Sequence, residues 1–341
     1  MCFRNFAMRL PLVFLLTVLS CTGANADTAQ DCAQSKDAAL GISACTTVID
    51  QGGDVAWAYA NRGILYEKLG NHDRAIADSS KAIVINPKSR DLYHNRGTAY
   101  YFKGDLSSAV LDYSKSIELD PSYSKAYLSR GETYGKMGKN DLAIIDLTRA
   151  IELNDKVADT YAARGLAFAA IGDDSSALND YSKAIELNPN DYVPYQGRGN
   201  IFGRKSNFSA AIEEYTKSLE LNSKNGDAYY NRGTNYDQLE KFELALADYN
   251  QAIALNSNDA EAYERRSVEL TNAGKAELGL EDAEKAVGLR GNKASSFDTR
   301  AWVLGALGRK DEAIADFRRA LAIDPDYQRS RDGLARLGIS N

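Results

Sequence analysis

The feature that most constrains this chain is a repeat of constant length, which runs eight times from Ala56 to Tyr327 without an insertion. The copies begin at residues 56, 90, 124, 158, 192, 226, 260 and 294. A period of this length is typical of a stacked array, in which each unit covers the hydrophobic face of its neighbour. The sequence therefore predicts a repeat array over residues 56–327 rather than a domain with one central core.

The pattern inside each repeat predicts a pair of antiparallel helices. With the residues of a repeat numbered 1 to 34, position 4 is aromatic and position 8 is small in all eight copies. Positions 4, 8 and 11 share one face of a first helix, and positions 20, 24 and 27, where 20 and 27 are small, share one face of a second. Gly near position 15 predicts the turn between the helices, and Pro at position 32 ends the second helix.

This pattern resembles the tetratricopeptide repeat family, most closely where Asn231 to Tyr236 precede Ala245, Tyr249 and Ala252. The resemblance covers residues 56–327, which is most of the chain. It implies an all-α fold, a right-handed superhelical solenoid of antiparallel helix pairs. It also implies that the first helices line a concave groove, which in this family binds another protein or a peptide.

The N-terminal segment, residues 1–26, has the pattern of a secretory signal. Arg4 and Arg9 precede an apolar stretch of ten residues, LPLVFLLTVL, and Ala24-Asn25-Ala26 is an A-x-A cleavage site. We therefore expect an exported protein of the periplasm. The alternative is a membrane-anchored lipoprotein, because Val18 to Cys21 loosely resembles a lipobox and Cys21 would then carry the lipid.

Two further segments predict caps for the array. Residues 27–55 resemble a degenerate repeat, and residues 328–341 predict a polar C-terminal helix whose Leu334 and Leu337 pack against the last repeat. Cleavage of the signal would leave Cys32 and Cys45, an even pair that in an exported protein favours a disulfide. Two buried free thiols are the alternative.

A row of charges accompanies the repeat. Position 7 is Arg and position 23 is acidic in all eight copies. Because these positions lie near each other in an antiparallel pair of helices, we predict Arg–carboxylate pairs, within a repeat or to the next one. The alternative is a row of arginines that faces a polyanionic ligand, which the equal number of carboxylates disfavours.

The positions that face the groove in this family vary from repeat to repeat, as a selective binding surface would. Their Asn residues are suited to the backbone of an extended peptide, because an amide both donates and accepts hydrogen bonds. A solvated face without a ligand is the alternative. The predicted groove residues are Trp57, Asn61, Ile64, His94, Asn95, Thr98, Tyr101, Lys125, Asn200, Tyr230, Asn231 and Trp302.

Several functions are disfavoured by composition. The net charge of −6 argues against a nucleic-acid binder that relies on diffuse basic charge. Two His and four Cys leave little material for a metal centre, and no nucleophile, base and oxyanion donors converge, so we expect no enzyme, no metal and no cofactor. The family's basic clamp for C-terminal carboxylates is not matched.

We expect a scaffold or adaptor, with a lipid-anchored component of an envelope assembly as the alternative and a glycan-binding protein or enzyme as a weaker one.

Overall fold

The computed structural model describes residues 26–52 and 55–339, and within these ranges it contains 19 α-helices and no β-strand. The fold is therefore an all-α array of helical repeats. The predicted signal, up to residue 25, and the candidate lipidation residue Cys21 lie outside the described residues. The chain divides into two compact units, residues 1–187 (unit 1) and residues 188–341 (unit 2), which are described separately.

The described part of unit 1 contains ten helices: α1 and α2 form the N-terminal pair, and the other eight form four repeats. The first helices of these repeats are α3, α5, α7 and α9, and the second helices are α4, α6, α8 and α10. In chain order the ten helices are Ala26–Gln34, Ala38–Gln51, Ala56–Lys68, His72–Ile85, Arg90–Lys103, Leu106–Leu119, Ser124–Lys136, Asn140–Leu153, Ala158–Ala170 and Asp174–Leu187.

Unit 2 contains four more pairs and one final helix. Its first helices are α11, α13, α15 and α17, its second helices are α12, α14, α16 and α18, and α19 follows the last pair. In chain order these nine helices are Tyr192–Arg204, Phe208–Leu221, Gly226–Gln238, Phe242–Leu255, Ala260–Asn272, Ala276–Arg290, Ala294–Ala306, Lys310–Ile323 and Gln328–Arg336.

Small residues at the predicted positions let the two helices of a pair come close. A Cβ atom added to Gly131 of α7 would lie 2.7 Å from Cγ of Leu147 in α8, and one added to Gly97 would lie 2.9 Å from the ring of Tyr113. Leu147 and Tyr113 are buried, so each large side chain fills the space that the glycine leaves. Glycines of three further repeats face a tyrosine of their second helix in the same way, so the core consists largely of similar contacts.

The turn inside each pair has a residue in the left-handed region at position 15. Gly104 and Gly138 have φ of 90° and 74°, a conformation that glycine adopts at low energy. Two repeats lack this glycine, and there Ser206 and Glu240 adopt φ of 58° and 57°. The turn geometry is thus retained where the residue type is less favourable.

Each end of the array is covered. Cys32 of α1 and Cys45 of α2 are buried, with Cα atoms 4.6 Å apart, a separation that a disulfide can span. At the other end Leu334 of α19 is buried in a cluster that includes Phe317, and Leu337 packs against the same cluster. Both ends thus present helices that cover the apolar side of a repeat.

Candidate functional site

The first helices of each unit form a continuous face. In unit 1 the backbones of α3 and α5, α5 and α7, and α7 and α9 approach each other, whereas neighbouring second helices do not come as close within the described residues. Unit 2 has the same arrangement at α11 and α13 and at α15 and α17. Each unit therefore curves with its first helices on the inner side, and we call that side the inner face of the unit.

The arginines at position 7 are paired within their own repeats, which confirms the prediction of Arg–carboxylate pairs. In seven repeats Nε and Nη2 donate to the two oxygens of the Asp at position 23 over 2.6–2.9 Å, and in the eighth Arg198 donates to Glu214. We call these eight pairs the arginine ladder. The seven Asp side chains are only 3–8% exposed. The guanidinium groups are thus bound to buried carboxylates and are not a row of free cations for a polyanion.

The ladder also links neighbouring repeats, through a hydrogen bond to position 25 that the sequence alone did not indicate. Nη1 of Arg164 donates to the hydroxyl of Thr148, at position 25 of the preceding repeat, over 3.1 Å. Nη1 of Arg130 does the same to Ser114 over 2.9 Å. The hydrogen bonds with Asp180 raise the pKa of Arg164, and burial opposes them. The ladder therefore fixes both the pairing inside a repeat and the register between repeats. The same link joins Arg62 to Thr46, Arg96 to Ser80, Arg232 to Thr216 and Arg266 to Asn250.

The predicted groove residues of unit 1 lie on α3, α5 and α7, but they are less exposed than a free binding surface would be. His94, Thr98 and Tyr101 are buried, so they contact their neighbours and present little surface. The other five are partly buried. They are Trp57, Asn61, Ile64, Asn95 and Lys125. The prediction that these side chains bind a ligand stays a prediction.

His94 is enclosed by residues of its own and the following repeat. Its Nε2 lies 3.1 Å from Oγ of Ser129, and the rings of Tyr113 and Tyr123 lie 5.4 and 5.5 Å from its own. Burial lowers the pKa of His94 to about 4, so the imidazole is neutral near pH 7. This histidine is an uncharged packing residue at physiological pH.

Glu132 contributes an unusual carboxyl group to the inner face of unit 1. Its Oε2 is buried and has no hydrogen-bond partner within residues 26–52 and 55–339. Burial raises the pKa of Glu132 to about 8, and the Asp159 carboxylate adds to the effect. The carboxyl group therefore carries a proton over much of the neutral range. An exchangeable proton here could be donated to a polar ligand.

In unit 2 the predicted residues lie on α11, α13 and α17 and are partly buried. Oδ1 of Asn200 accepts hydrogen bonds from Tyr215 over 2.7 Å and from Asn231 over 3.4 Å. The ring of Tyr230 lies 6.0 Å from that of Tyr249, and burial raises the pKa of Tyr230. The guanidinium of Arg336 lies 5.0 Å from the ring of Trp302.

One residue that the sequence reasoning missed lies beside these groups. Glu269 of α15 occupies position 10, which packs between repeats and is uncharged in the other seven copies. It is 7% exposed, and burial, followed by the charge of Asp237, raises its pKa to about 7. The sequence contains one sign of this residue, because Glu269 is charged at a packing position that is uncharged in the other repeats.

Two further observations concern the described part of the chain. No helix there combines the length and the apolar character needed to span a bilayer. No three His, Cys, Asp or Glu side chains of that part are arranged to hold a metal ion.

Family models match seven segments of the chain between residues 56 and 327. Models described as "Tetratricopeptide repeat" match residues 56–89, 124–157, 158–191, 194–225, 226–259 and 294–327, and a model described as "TPR repeat" matches residues 97–138. Five of the seven matches coincide with whole repeats of the period found in the sequence. The search of curated proteins gave no match.

Solved structures share this architecture. The crystal structure of YrrB, described as a TPR protein with an unusual peptide-binding site, is 27% identical with a TM-score of 0.50, and the match covers 55% of this chain and 97% of YrrB. The APC/C hetero-tetramer Cut9–Hcn1 is 19% identical with a TM-score of 0.62, covering 78% of this chain but only 53% of the matched chain. PilF of Pseudomonas aeruginosa is 17% identical with a TM-score of 0.57, covering 64% and 98%. The last two likenesses concern the fold alone.

Proposed function

Because this chain belongs to the tetratricopeptide repeat family, we propose that it is a non-enzymatic scaffold that binds a segment of another protein on the inner face of either unit. The family and the neighbouring structures indicate a protein–protein interaction scaffold. The peptide-binding site named for YrrB supports the choice of a peptide segment as ligand.

The observation that carries the proposal is the contrast between the packing side and the inner side of the first helices. The packing residues at positions 4, 8 and 20 and the arginine ladder are nearly constant from repeat to repeat, whereas the inner-face residues differ in size, polarity and charge. Buried polar atoms without partners, such as Oε2 of Glu132, are concentrated on these helices. Such atoms are costly for the free protein and become satisfied if a ligand supplies hydrogen bonds.

Affinity capture with two matched variants tests the proposal. The first variant removes three inner-face amides, and the second removes three exposed polar side chains of second helices. Proteins captured from cell-envelope extracts by the wild type should be lost from the first variant and retained by the second. Capture that both variants retain equally would contradict binding on the inner faces. The inner variant replaces Asn61, Asn95 and Asn231 by Ala, and the control replaces Ser107, Asn179 and Gln251 by Ala.

Export is a second part of the proposal. We propose that residues 1–26 direct the chain to the periplasm, where Cys32 and Cys45 form a disulfide. A mature N-terminus at Asp27, determined by mass spectrometry, is the expected result. If mass spectrometry instead finds a diacylated Cys21 at the N-terminus, the protein is a lipid-anchored component of an envelope assembly.

The disulfide is tested on the same purified protein. The two sulfurs should react with an alkylating reagent under denaturing conditions only after treatment with a reductant. Alkylation of both cysteines without reductant would indicate free thiols.

A further inference from the structure

Position 10 of each repeat is a packing position, and one repeat places a carboxylate there. The residues at this position are at most 7% exposed. This position faces the first helix of the preceding repeat. At Asn235, for example, Oδ1 would lie 3.2 Å from a Cβ atom added to Gly203 of that helix. Glu269 is the one ionisable residue of the set, and a buried carboxylate contributes nothing to packing that a neutral residue would not. The eight residues are Leu65, Ala99, Thr133, Ala167, Ile201, Asn235, Glu269 and Val303.

Glu269 lies close to a second carboxyl group, that of Asp237. Asp237, at position 12 of the preceding repeat, is close enough that its charge raises the pKa of Glu269. Oδ2 of Asp237 accepts the hydroxyl of Tyr249. Oδ1 of Asp237 and Oε2 of Glu269 have no hydrogen-bond partner in the described part of the chain. Two buried oxygen atoms on adjacent first helices are therefore available to a donor.

The surroundings fit an organic cation. Burial raises the pKa of both carboxyl groups, and the charge of Arg265, which is held by Tyr230, opposes this shift. A cation brought by a ligand would oppose it further. The rings of Tyr230 and Tyr249 lie 6.0 Å apart at the same place. Tyr249 is fully buried, whereas Tyr230 is partly exposed and is the ring that can contact a guanidinium. A metal ion would lack a third carboxylate, cysteine or histidine ligand within the described residues.

Asp237 and Glu269 lie on the two neighbouring first helices of unit 2 whose backbones approach each other least closely. The backbones of α13 and α15 approach each other less closely than those of α15 and α17. The two unpartnered oxygen atoms belong to α13 and α15, one to each helix.

We propose that Asp237 and Glu269 receive a positively charged side chain, arginine or lysine, of the polypeptide bound on the inner face of unit 2. This inference rests on the proposed function and names the chemistry of its ligand. The bound cation favours the ionised form of both carboxyl groups and forms charge-assisted hydrogen bonds with their two free oxygen atoms. Selectivity for a basic residue follows, because an acidic or neutral residue at that place leaves the carboxylates unpaired.

The test uses pools of fluorescent decapeptide amides with one fixed central residue and mixed residues elsewhere. The fixed residue is arginine, lysine, citrulline or glutamate, and citrulline is the neutral isostere of arginine. Binding to the whole chain is measured by fluorescence anisotropy for the wild type, Glu269→Gln and Asp237→Asn. The matched control is Glu243→Gln, which removes the same charge from an exposed position of α14. Circular dichroism verifies that each variant retains its helices.

The wild type and the control should bind the arginine pool about tenfold more tightly than the citrulline pool, the advantage expected of charged hydrogen bonds. Glu269→Gln and Asp237→Asn should each lose most of this advantage. Equal binding of all pools by the wild type, or an arginine preference that both variants retain, would overturn the inference and leave the proposed function intact. Absence of binding by every pool would overturn both.

Discussion

The arginine ladder leads to a prediction about the coupling between Arg164 and Asp180. The side chain of Asp180 is 8% exposed and accepts two hydrogen bonds, of 2.7 and 2.8 Å, from Arg164. Arg164→Met leaves this buried carboxylate without its partner, which costs about 3 kcal/mol in the free energy of unfolding. Asp180→Leu leaves a guanidinium that is 19% exposed and keeps its bond to Thr148, so the loss is smaller, about 2 kcal/mol.

The double variant is the informative one. Met and Leu can pack together, and an apolar pair often replaces a buried ion pair with little loss. We expect a loss of about 2 kcal/mol for the double variant and therefore a coupling energy of about 3 kcal/mol. An exposed pair on the same second helix, Lys183 with Glu186 at 2.8 Å, provides the control and should show no measurable coupling.

Two measurements give the free energies. Urea unfolding followed by circular dichroism reports the stability of the chain, and hydrogen exchange in α9 and α10 reports the local stability, which is needed because repeat arrays can unfold in steps. Thr148→Val should cost about 1 kcal/mol if the link to the preceding repeat contributes as an ordinary hydrogen bond. A coupling energy below about 0.5 kcal/mol for Arg164 and Asp180 would refute the reasoning.

Three further predictions follow from unit 1. Since the folded chain raises the pKa of Glu132 to about 8, its stability should fall as the pH rises from the ordinary glutamate range towards that value, and Glu132→Gln should abolish the loss in urea titrations across that range. Since burial lowers the pKa of His94 to about 4, stability should fall as the pH drops from the ordinary histidine range towards about 4, and His94→Gln should remove this part of the acid sensitivity in the same titrations. Gly131→Ala should destabilise the chain by about 1–3 kcal/mol, because the new methyl group meets Leu147. Gly135→Ala on the same helix should stabilise the chain by about 0.5–1 kcal/mol, because the space around the added atom is open. Thermal unfolding of the two variants compares these effects.

The parts of the fold that recur in every repeat could be predicted from the sequence. Gly131 opposite Leu147 and Arg164 opposite Asp180 are single examples of a pattern that occurs many times, so the period itself identifies them. The link from Arg164 to Thr148 was not predicted, because position 25 holds Ser, Thr, Asn, Glu or Arg and shows no constant residue type along the chain.

The inner faces were harder to predict, because the environment of each residue depends on the neighbouring repeat. His94 was assigned to an accessible surface by its position, but Tyr123 and Ser129 cover it. Glu269 was not singled out, because position 10 is not among the positions that face the ligand in this family. The burial of a side chain at these places depends on the size and rotamer of the next repeat's residues, which periodicity does not contain.

Six arginines of the ladder make a third hydrogen bond, to the preceding helix pair, and this bond has a consequence for how such a chain changes length. The third repeat contains both the guanidinium of Arg130, which reaches backward, and the hydroxyl of Thr148 at position 25, which a following copy would need. A duplicated third repeat, residues 124–157, would thus find Thr148 of the original available to the arginine of the copy, and the contact beyond the copy would also be restored. Gene duplication in whole multiples of this segment is therefore accommodated without compensating substitutions, whereas gain or loss of a partial segment breaks the bonding on both sides.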